Sequence, residues 1–441
     1  MDRIAVVSAA CIAVAICGLT ANAASADEPP NVPPPSPELA FATIGPATVS
    51  GGRLYPPFYN YVITPHAVVD GTTAFCAFQD AKGRPIVMAY DTEAETWSGP
   101  VRASDQGLGD DSHGNPSICI DGSGRLHLFY GCHGGPMRHT RSAKPRDITE
   151  WEEQPSPAPK ATYPQSMRME DGSIFLFYRA GGHVEPWMMQ VSTDDCATWG
   201  EPERIVEMRR DPPDPLAAAY CKFVPSRDGR RIHCFWNHKD DNAARVTDAK
   251  PHPWRPLKYK GLHEAVYRYN AYYIRRDPSG AWRTAADKTV EPPISKAVAD
   301  ARCLVYDSGD EFTFVPYESR LAIGAAGRPY LKLRTGVVDW VNRHDDPDAA
   351  IVPVRTKHIR LVKQKWDVVD ELPEDWPKGI QVALAARGLE AFGDRPEGRW
   401  FIFCTRAPLG PGDGSFVFFY NLQKGYAKRE GGPADTSALA P

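Results

Sequence analysis

Three stretches of the chain superimpose: HGNPSICIDGSGRLHLFYGCHGG at 113–135, TYPQSMRMEDGSIFLFYRAGG at 162–182 and AYCKFVPSRDGRRIHCFWNHKDD at 219–241. Each is an apolar run, a turn carrying Asp-Gly and an aromatic-rich run, the pattern of a β-hairpin. Counting eight residues back from the turn aspartates Asp121, Asp171 and Asp228 gives His113, Tyr163 and Tyr220. The second runs end in FYGCH, FYRAG and FWNHK, which carries His133 and Arg179 to the same end of the hairpins. Repetition accounts for the strands. It does not account for two histidines, a tyrosine and an arginine gathered at one end, and that surplus is the functional signal.

Similar strand-rich units recur at 68–100, 179–202, 267–284 and 399–422, with little helical periodicity between them. The segment Ser-Thr-Asp-Asp-Cys-Ala-Thr-Trp at 192–199 follows the Asp-box pattern S-x-D-x-G-x-T-W, with Cys196 in the glycine position. Asp91 to Trp97 and Asp277 to Trp282 are looser copies. Such a box makes a turn between outer strands and packs its Trp between blades, so no chemistry is assigned to it. A unit of about 50 residues is the size of a four-stranded propeller blade. The expected fold is all-β, a single β-propeller over 46–428 with about seven blades of four antiparallel strands.

The 441 residues carry a net charge of −4, which gives no ground for a nucleic-acid surface. A local cluster of His and Arg can still hold an acidic sugar within a neutral average. Residues 1–26 have the form of an export signal: Arg3, an apolar stretch from Ile4 to Leu19, and small residues at Ala21-Asn22-Ala23 or Ala24-Ser25-Ala26. A membrane anchor is the alternative for this segment. A proline-rich tether is expected over 27–45 and a flexible tail over 429–441. The mature chain is then periplasmic or secreted, acts as a monomer and does not enter a membrane. Of the ten cysteines, Cys11 and Cys17 leave with the signal, and the rest are too scattered for a small disulfide scaffold.

In a propeller, equivalent positions of neighbouring blades lie side by side at one mouth of the channel. His113 and Tyr163 are such a pair, and His133 and Arg179 close the following strands. This set suits a lyase acting on a uronic acid. Arg neutralises the carboxylate with a planar fork. A His and a Tyr with its pKa lowered by nearby cations share removal of the C5 proton and protonation of the leaving oxygen at C4. No metal or nucleotide is required. Asn115, Tyr220 and Lys222 are candidate substrate contacts, whereas His127 and His233 lie within apolar runs and are expected to be packed.

The run DDSHGNPSICIDGSGRLHLFYGCHG, followed by TYPQ and LFYR, resembles propeller proteins of the BNR-4 repeat class, which includes ulvan lyases. The resemblance is best over 60–280. It implies that His113 is the catalytic histidine, His133 the second active-site histidine, Tyr163 the catalytic tyrosine and Arg179 the carboxylate-neutralising arginine. It implies a uronate-containing polysaccharide, sulfated and ulvan-like, as substrate. It also adds weight to a structural zinc among Cys221, His233, Cys234 and His238, residue types that suit that ion. Strand alternation opposes it by placing His233 and Cys234 on opposite faces.

Other functions stay open on sequence alone. A sialidase-like propeller would need an arginine triad and a Tyr–Glu pair, which these strands do not supply. Another glycoside hydrolase would need two facing carboxylates, and Asp110 and Asp111 have no evident partner. A non-catalytic glycan-binding propeller could use the same mouth.

Overall fold

The three Asp-Gly segments are hairpin turns held by their own aspartates. Asp121 accepts from Ser123 Oγ at 2.7 Å and from the Arg125 amide at 2.8 Å. Asp171 likewise accepts from the Ser173 amide at 3.0 Å, and Asp228 from the Arg230 amide at 3.1 Å. Gly172 and Gly229 have φ of 87° and 64°, left-handed values that cost glycine little.

The computed structural model describes residues 62–209, 217–240, 268–338 and 351–376, short gaps within them apart, and the backbone of terminal strands between 40 and 55 and between 390 and 421. The expected signal segment and tail lie outside the described residues.

The hairpins extend into antiparallel meanders. The first sheet runs Ala67–Asp70, Thr73–Gln79, Pro85–Asp91, Thr96–Arg102. The second runs Ser117–Ile120, Leu126–Tyr130, Arg138–Ser142, Trp151–Gln154, and the third Ala161–Arg168, Ile174–Arg179, Trp187–Ser192, Glu203–Val206. The fourth contains Ala217–Pro225, Ile232–Asp240, Arg268–Arg276 and Trp282–Arg283, and a fifth is built on Pro329–Val338 and Ile351–Val362. In a further sheet Ala40–Pro46 pairs with Gly414–Asn421, so the start of the described chain completes the sheet made at its end. Ala40–Pro46 is therefore a strand where composition predicts tether. The first strands of the first four sheets lie against one another in turn. This is the blade arrangement of a β-propeller.

The core is a series of interfaces between sheets. Ile118, Leu128 and Tyr130 of the second sheet pack toward Phe75 and Val87 of the first. Their strand neighbours Cys119 and Phe129 pack the other way, with Leu176, Tyr178 and Met188 of the third sheet. Phe177 and Trp187 then meet Phe223 and Trp236 of the fourth, with Phe177 and Phe223 stacked at 3.9 Å. Strands buried on both faces read as apolar runs rather than as an alternation. Each enclosed Leu, Ile or Phe side chain contributes about 1.5–3 kcal/mol, so the sheets cohere by burial.

The Asp box forms as its pattern requires. Asp194 accepts from Ser192 Oγ at 2.8 Å, the Thr198 amide at 2.9 Å and Thr198 Oγ1 at 2.6 Å. Trp199 meets Phe129 of the preceding sheet edge-on at 5.6 Å.

A trio and a pair of polar groups sit inside the apolar layers. His127 bonds Asp121 at 3.1 Å and His139 at 2.9 Å, while Tyr273 donates to Nδ1 of His233 at 2.6 Å. His127 and His233 are thus packed, as expected from their runs. Burial, reinforced by neighbouring positive groups, pushes both His139 and His233 down to about 3 from 6.5. Both rings are neutral in the folded protein. Their contribution to stability is complete above pH 6.5 and is lost as pH falls toward 3, because the unfolded chain binds the protons first. Thermal denaturation should show a midpoint that drops from pH 7 to pH 4, and His233→Gln should flatten that slope. A midpoint unchanged over that interval would contradict the assignment.

Candidate active site

The site is assembled where the first strands of the second, third and fourth sheets begin. His113 lies in a short 3-10 turn, Ser112–Gly114, ahead of the strand that starts at Ser117. The turn is held by its own acid: Asp111 Oδ1 accepts from the His113 amide at 2.9 Å and bonds His113 Nδ1 at 2.6 Å. Gln79 of the first sheet donates to the Asp111 carbonyl at 3.2 Å.

The other carboxylate oxygen of Asp111 bonds Nδ1 of His133 at 2.7 Å. The two imidazoles stack at 3.7 Å and 13°. His133 does not close the second strand of its hairpin. It opens a separate short strand, His133–Gly135, which crosses to pair with Thr162 at the edge of the third sheet.

Tyr163 completes the group, its hydroxyl 3.0 Å from His113 Nε2. It has φ of 61°, uncommon for an aromatic residue, at an irregularity in the pairing between Thr162 and Gln165. Backbone of this kind costs on the order of 1–3 kcal/mol and persists only where its surroundings enforce it. Here they do. Thr162 Oγ1 donates to the Gly181 carbonyl and accepts from the Gly134 amide, both at 2.9 Å. Gln165 Nε2 donates to the Cys221 carbonyl, and its Oε1 accepts from the Phe223 amide, both at 2.8 Å. The bulge turns Tyr163 toward His113 and seats its ring parallel to Trp187 at 6.3 Å.

Arg179 is fully buried behind this pair. Its guanidinium carbon lies 4.9 Å from the Tyr163 ring centre and 5.3 Å from that of Tyr220, and Nε donates to the Gly181 carbonyl at 3.3 Å. Tyr220 also faces Arg268 at 4.9 Å and Lys239 at 5.6 Å, and Lys239 donates to His183 Nδ1 at 3.0 Å. Cations therefore surround two tyrosine rings, an arrangement favoured by the quadrupole of each ring.

The charges fix the protons. Burial alone would raise Asp111, but hydrogen bonds from both histidines outweigh it and hold the carboxyl well below its usual range. An ionised Asp111 accepts from Nδ1–H of each ring, so the neutral His113 presents its lone pair at Nε2 to the Tyr163 hydroxyl. Burial, with the charges of His133 and Arg179, lowers the His113 pKa against the opposing effect of Asp111. The result is a neutral base hydrogen-bonded to a phenol.

His113, His133, Tyr163 and Arg179 thus meet, and Tyr220 borders them. Asn115 is fully buried directly after the turn, and Lys222 is half-buried along the Tyr220 strand. The expected zinc set does not gather. Cys221 and Cys234 face the core shared with the third sheet, whereas His233 points the other way, to Tyr273. Alternation along the strand separates them. Among the described residues the group spaced for a metal ion is Asp111, His113 and His133, with ligand atoms within 4.8 Å of one another. A metal there would compete for the atoms that make the Asp111 hydrogen bonds.

The repeat pattern does not single out Asp111 as the partner of both imidazoles, nor Trp187, Lys239 and Arg268 around the two tyrosines. The signal for Asp111 is its position two residues before His113, within reach of both amide and ring.

Residues 73–336 match the model of a BNR repeat-containing family. Curated relatives include an ulvan lyase of Alteromonas sp. (strain LOR), 26% identical over 331 residues, which are 68% of this chain and 63% of the relative. An ulvan lyase of Nonlabens ulvanivorans is 26% identical over 68% of this chain and 65% of its own length. The chain thus spans less than two thirds of these relatives. Among solved structures, an ulvan lyase of polysaccharide lyase family PL25 bound to a GlcA(1-4)Rha3S saccharide superposes with a TM-score of 0.61 at 21% identity, over 82% of this chain and 80% of that one. A second polysaccharide lyase superposes with a TM-score of 0.60 at 12% identity, over 88% and 100% of the two chains. These superpositions establish the fold. With the family match covering more than half of its length, the chain belongs to the BNR repeat-containing family.

Proposed function

We propose that this protein is a polysaccharide lyase that cleaves a uronic-acid-containing, sulfated, ulvan-like polymer by β-elimination. The observation that carries the reading is the chain of contacts from Asp111 through His113 to the Tyr163 hydroxyl. The names of the relatives support it from a second direction.

His113 Nε2 takes the C5 proton of the uronate. The electrons of that C–H bond form the C4–C5 double bond, and the C4–O4 bond breaks with its electron pair passing to O4. Tyr163 supplies the proton that O4 needs. Asp111 stabilises the imidazolium formed on His113 and keeps its ring oriented, the work of a carboxylate behind a catalytic histidine. Negative charge builds on the uronate carboxylate as the C5 proton leaves. Arg179, behind Tyr163, places positive charge where it develops, and His133, exposed and stacked on His113, borders the same space. The step as written draws on side chains alone.

A base and an acid only 3.0 Å apart approach the sugar from one side. That favours elimination in which the C5 hydrogen and the C4 oxygen share a face, the configuration of glucuronate rather than iduronate. A hydrolase fits less well, because the carboxylate at the centre is committed to two imidazoles.

We infer about seven blades from the repeat length. The enzyme acts as a monomer outside the cytoplasm, where a polymeric substrate is met.

The purified chain, incubated with ulvan, should generate the ultraviolet absorbance of a double bond conjugated to a carboxylate. His113→Ala and Tyr163→Phe should each lower that rate by roughly 10²–10⁴-fold with unchanged circular dichroism. New reducing ends without the chromophore would assign a hydrolase, and retention of polymer without cleavage a binding propeller. Asp111→Asn, which keeps the size but not the charge, should cut kcat by about 10²–10⁴-fold with little change in KM. At Arg179, Lys should retain more activity than Gln, since the buried position calls for charge; equal loss in both would instead assign a guanidinium fork.

A further inference from the structure

The Asp box of the third sheet carries one departure from its pattern, and the departure faces another cysteine. Cys196 occupies the glycine position with φ of 65°, a left-handed conformation that a residue with a Cβ adopts at a cost. Its amide donates to Ser192 Oγ at 2.9 Å, so the turn keeps the form a glycine would give it. Cys196 is buried in the same packed cluster as Cys119 of the second sheet. The two side chains are close enough in that cluster for Cys119 to act directly on the Cys196 thiol. The backbone around them is fixed across the interface, because the Gly122 amide donates to Asp195 Oδ1 at 2.8 Å and Trp199 packs on Phe129.

We propose that Cys119 and Cys196 form a disulfide that ties the second sheet to the Asp-box turn of the third. Both are free thiols in this structure. Oxidation by a small-molecule disulfide, RSSR, forms the Cys119–Cys196 S–S bond, breaks the S–S bond of RSSR and moves two hydrogens onto two RSH molecules. Two electrons leave the protein thiols and reduce the oxidant, so the exchange balances. The bridge closes the 119–196 segment, which contains His133, Tyr163 and Arg179, and restricts its unfolded states. Cys119, together with burial, pushes the Cys196 thiol above its ordinary range. Its thiolate is therefore scarce once the sheets have packed, and the bridge forms as the chain folds rather than afterwards.

The pair differs from the other near pair. Cys221 and Cys234 lie on adjacent strands of one hairpin, in diagonal register, and a bond between them would close only a short loop already held by the strand ladder. Cys76, Cys132 and Cys303 are buried free thiols.

The test uses the full chain refolded in oxidised and reduced glutathione, alkylated under denaturing conditions without reductant and digested with trypsin. The expected product joins the peptides 103–125 and 180–204, while Cys76, Cys132, Cys221, Cys234 and Cys303 are alkylated. Recovery of both Cys119 and Cys196 alkylated, or of either bonded elsewhere, overturns the proposal. Reductant should lower the thermal midpoint of the oxidised protein by roughly 5 °C. Cys119→Ser and Cys196→Gly should remove that response, the latter restoring a residue at ease in the left-handed turn. A reductant response that survives in either variant equally overturns the assignment. Should a variant not fold, the peptide map of the native sequence decides alone.

Discussion

The inner edges of the second, third and fourth sheets face one another without a continuous ladder, and side chains supply hydrogen bonds there. Ser117 Oγ donates to the Thr64 carbonyl at 2.6 Å and accepts from the Ser166 amide at 2.9 Å. Gln165 reaches across to donor and acceptor on the next inner strand. Buried polar backbone left unpaired would cost on the order of 1–3 kcal/mol per group, so these few side chains set how closely the first strands approach. They also explain why Tyr163 can hold an unfavourable φ. The residues on either side of its bulge are pinned to three different segments, and relaxing Tyr163 would break bonds worth more than the strain.

Electrostatics at the mouth follow from that placement. One carboxylate faces two imidazoles, and behind Tyr163 and Tyr220 stand Arg179, Lys239 and Arg268. In a region of low dielectric such an imbalance keeps Asp111 ionised and His113 neutral. On the proposed function, an acidic sugar entering the mouth would meet the positive charge of Arg179, Lys239 and Arg268. The same field favours any transition state in which negative charge moves onto the sugar carboxylate. Proton position and charge position are thus consequences of one geometry.

The sheets were legible in the sequence because their strands are buried on both faces and joined by Asp-Gly turns. The eight-residue offset located His113 and Tyr163 because the repeat preserves the distance from turn to mouth. What lay beyond the repeat was harder to read. Asp111 binds two rings only because residues 112–114 form a 3-10 turn, and nothing in the strand pattern specifies that turn. His133 leaves its own sheet for the edge of the next, a crossing that local propensity does not encode. Arg179 carries a full charge yet has no exposure, against the usual behaviour of its residue type. Cys221 and His233 are close in the chain register but divided by the pleat, and counting residue types alone could not separate them. Ala40–Pro46 reads as tether because prolines precede it, and its strand exists only through a partner nearly four hundred residues away in sequence.

The two ends of the sheets carry different duties. In the second and third sheets the strands alternate direction, so the mouth residues and the Asp-Gly turns lie at opposite ends. At the turn end Asp121, Asp194 and Asp195 satisfy amides and hydroxyls and clamp one sheet to the next. At the mouth end the strained tyrosine, the turn at His113 and the crossing at His133 depart from regular β structure. Departures of that kind lower stability locally and are tolerated where the rest of the element is secured. The clamp at one end therefore permits the irregular geometry at the other, and a repeat fold can vary its chemistry by changing the mouth while the turns stay nearly constant. A residue such as Cys196, which adds strain at the clamped end, stands against that division unless it contributes a contact of its own there.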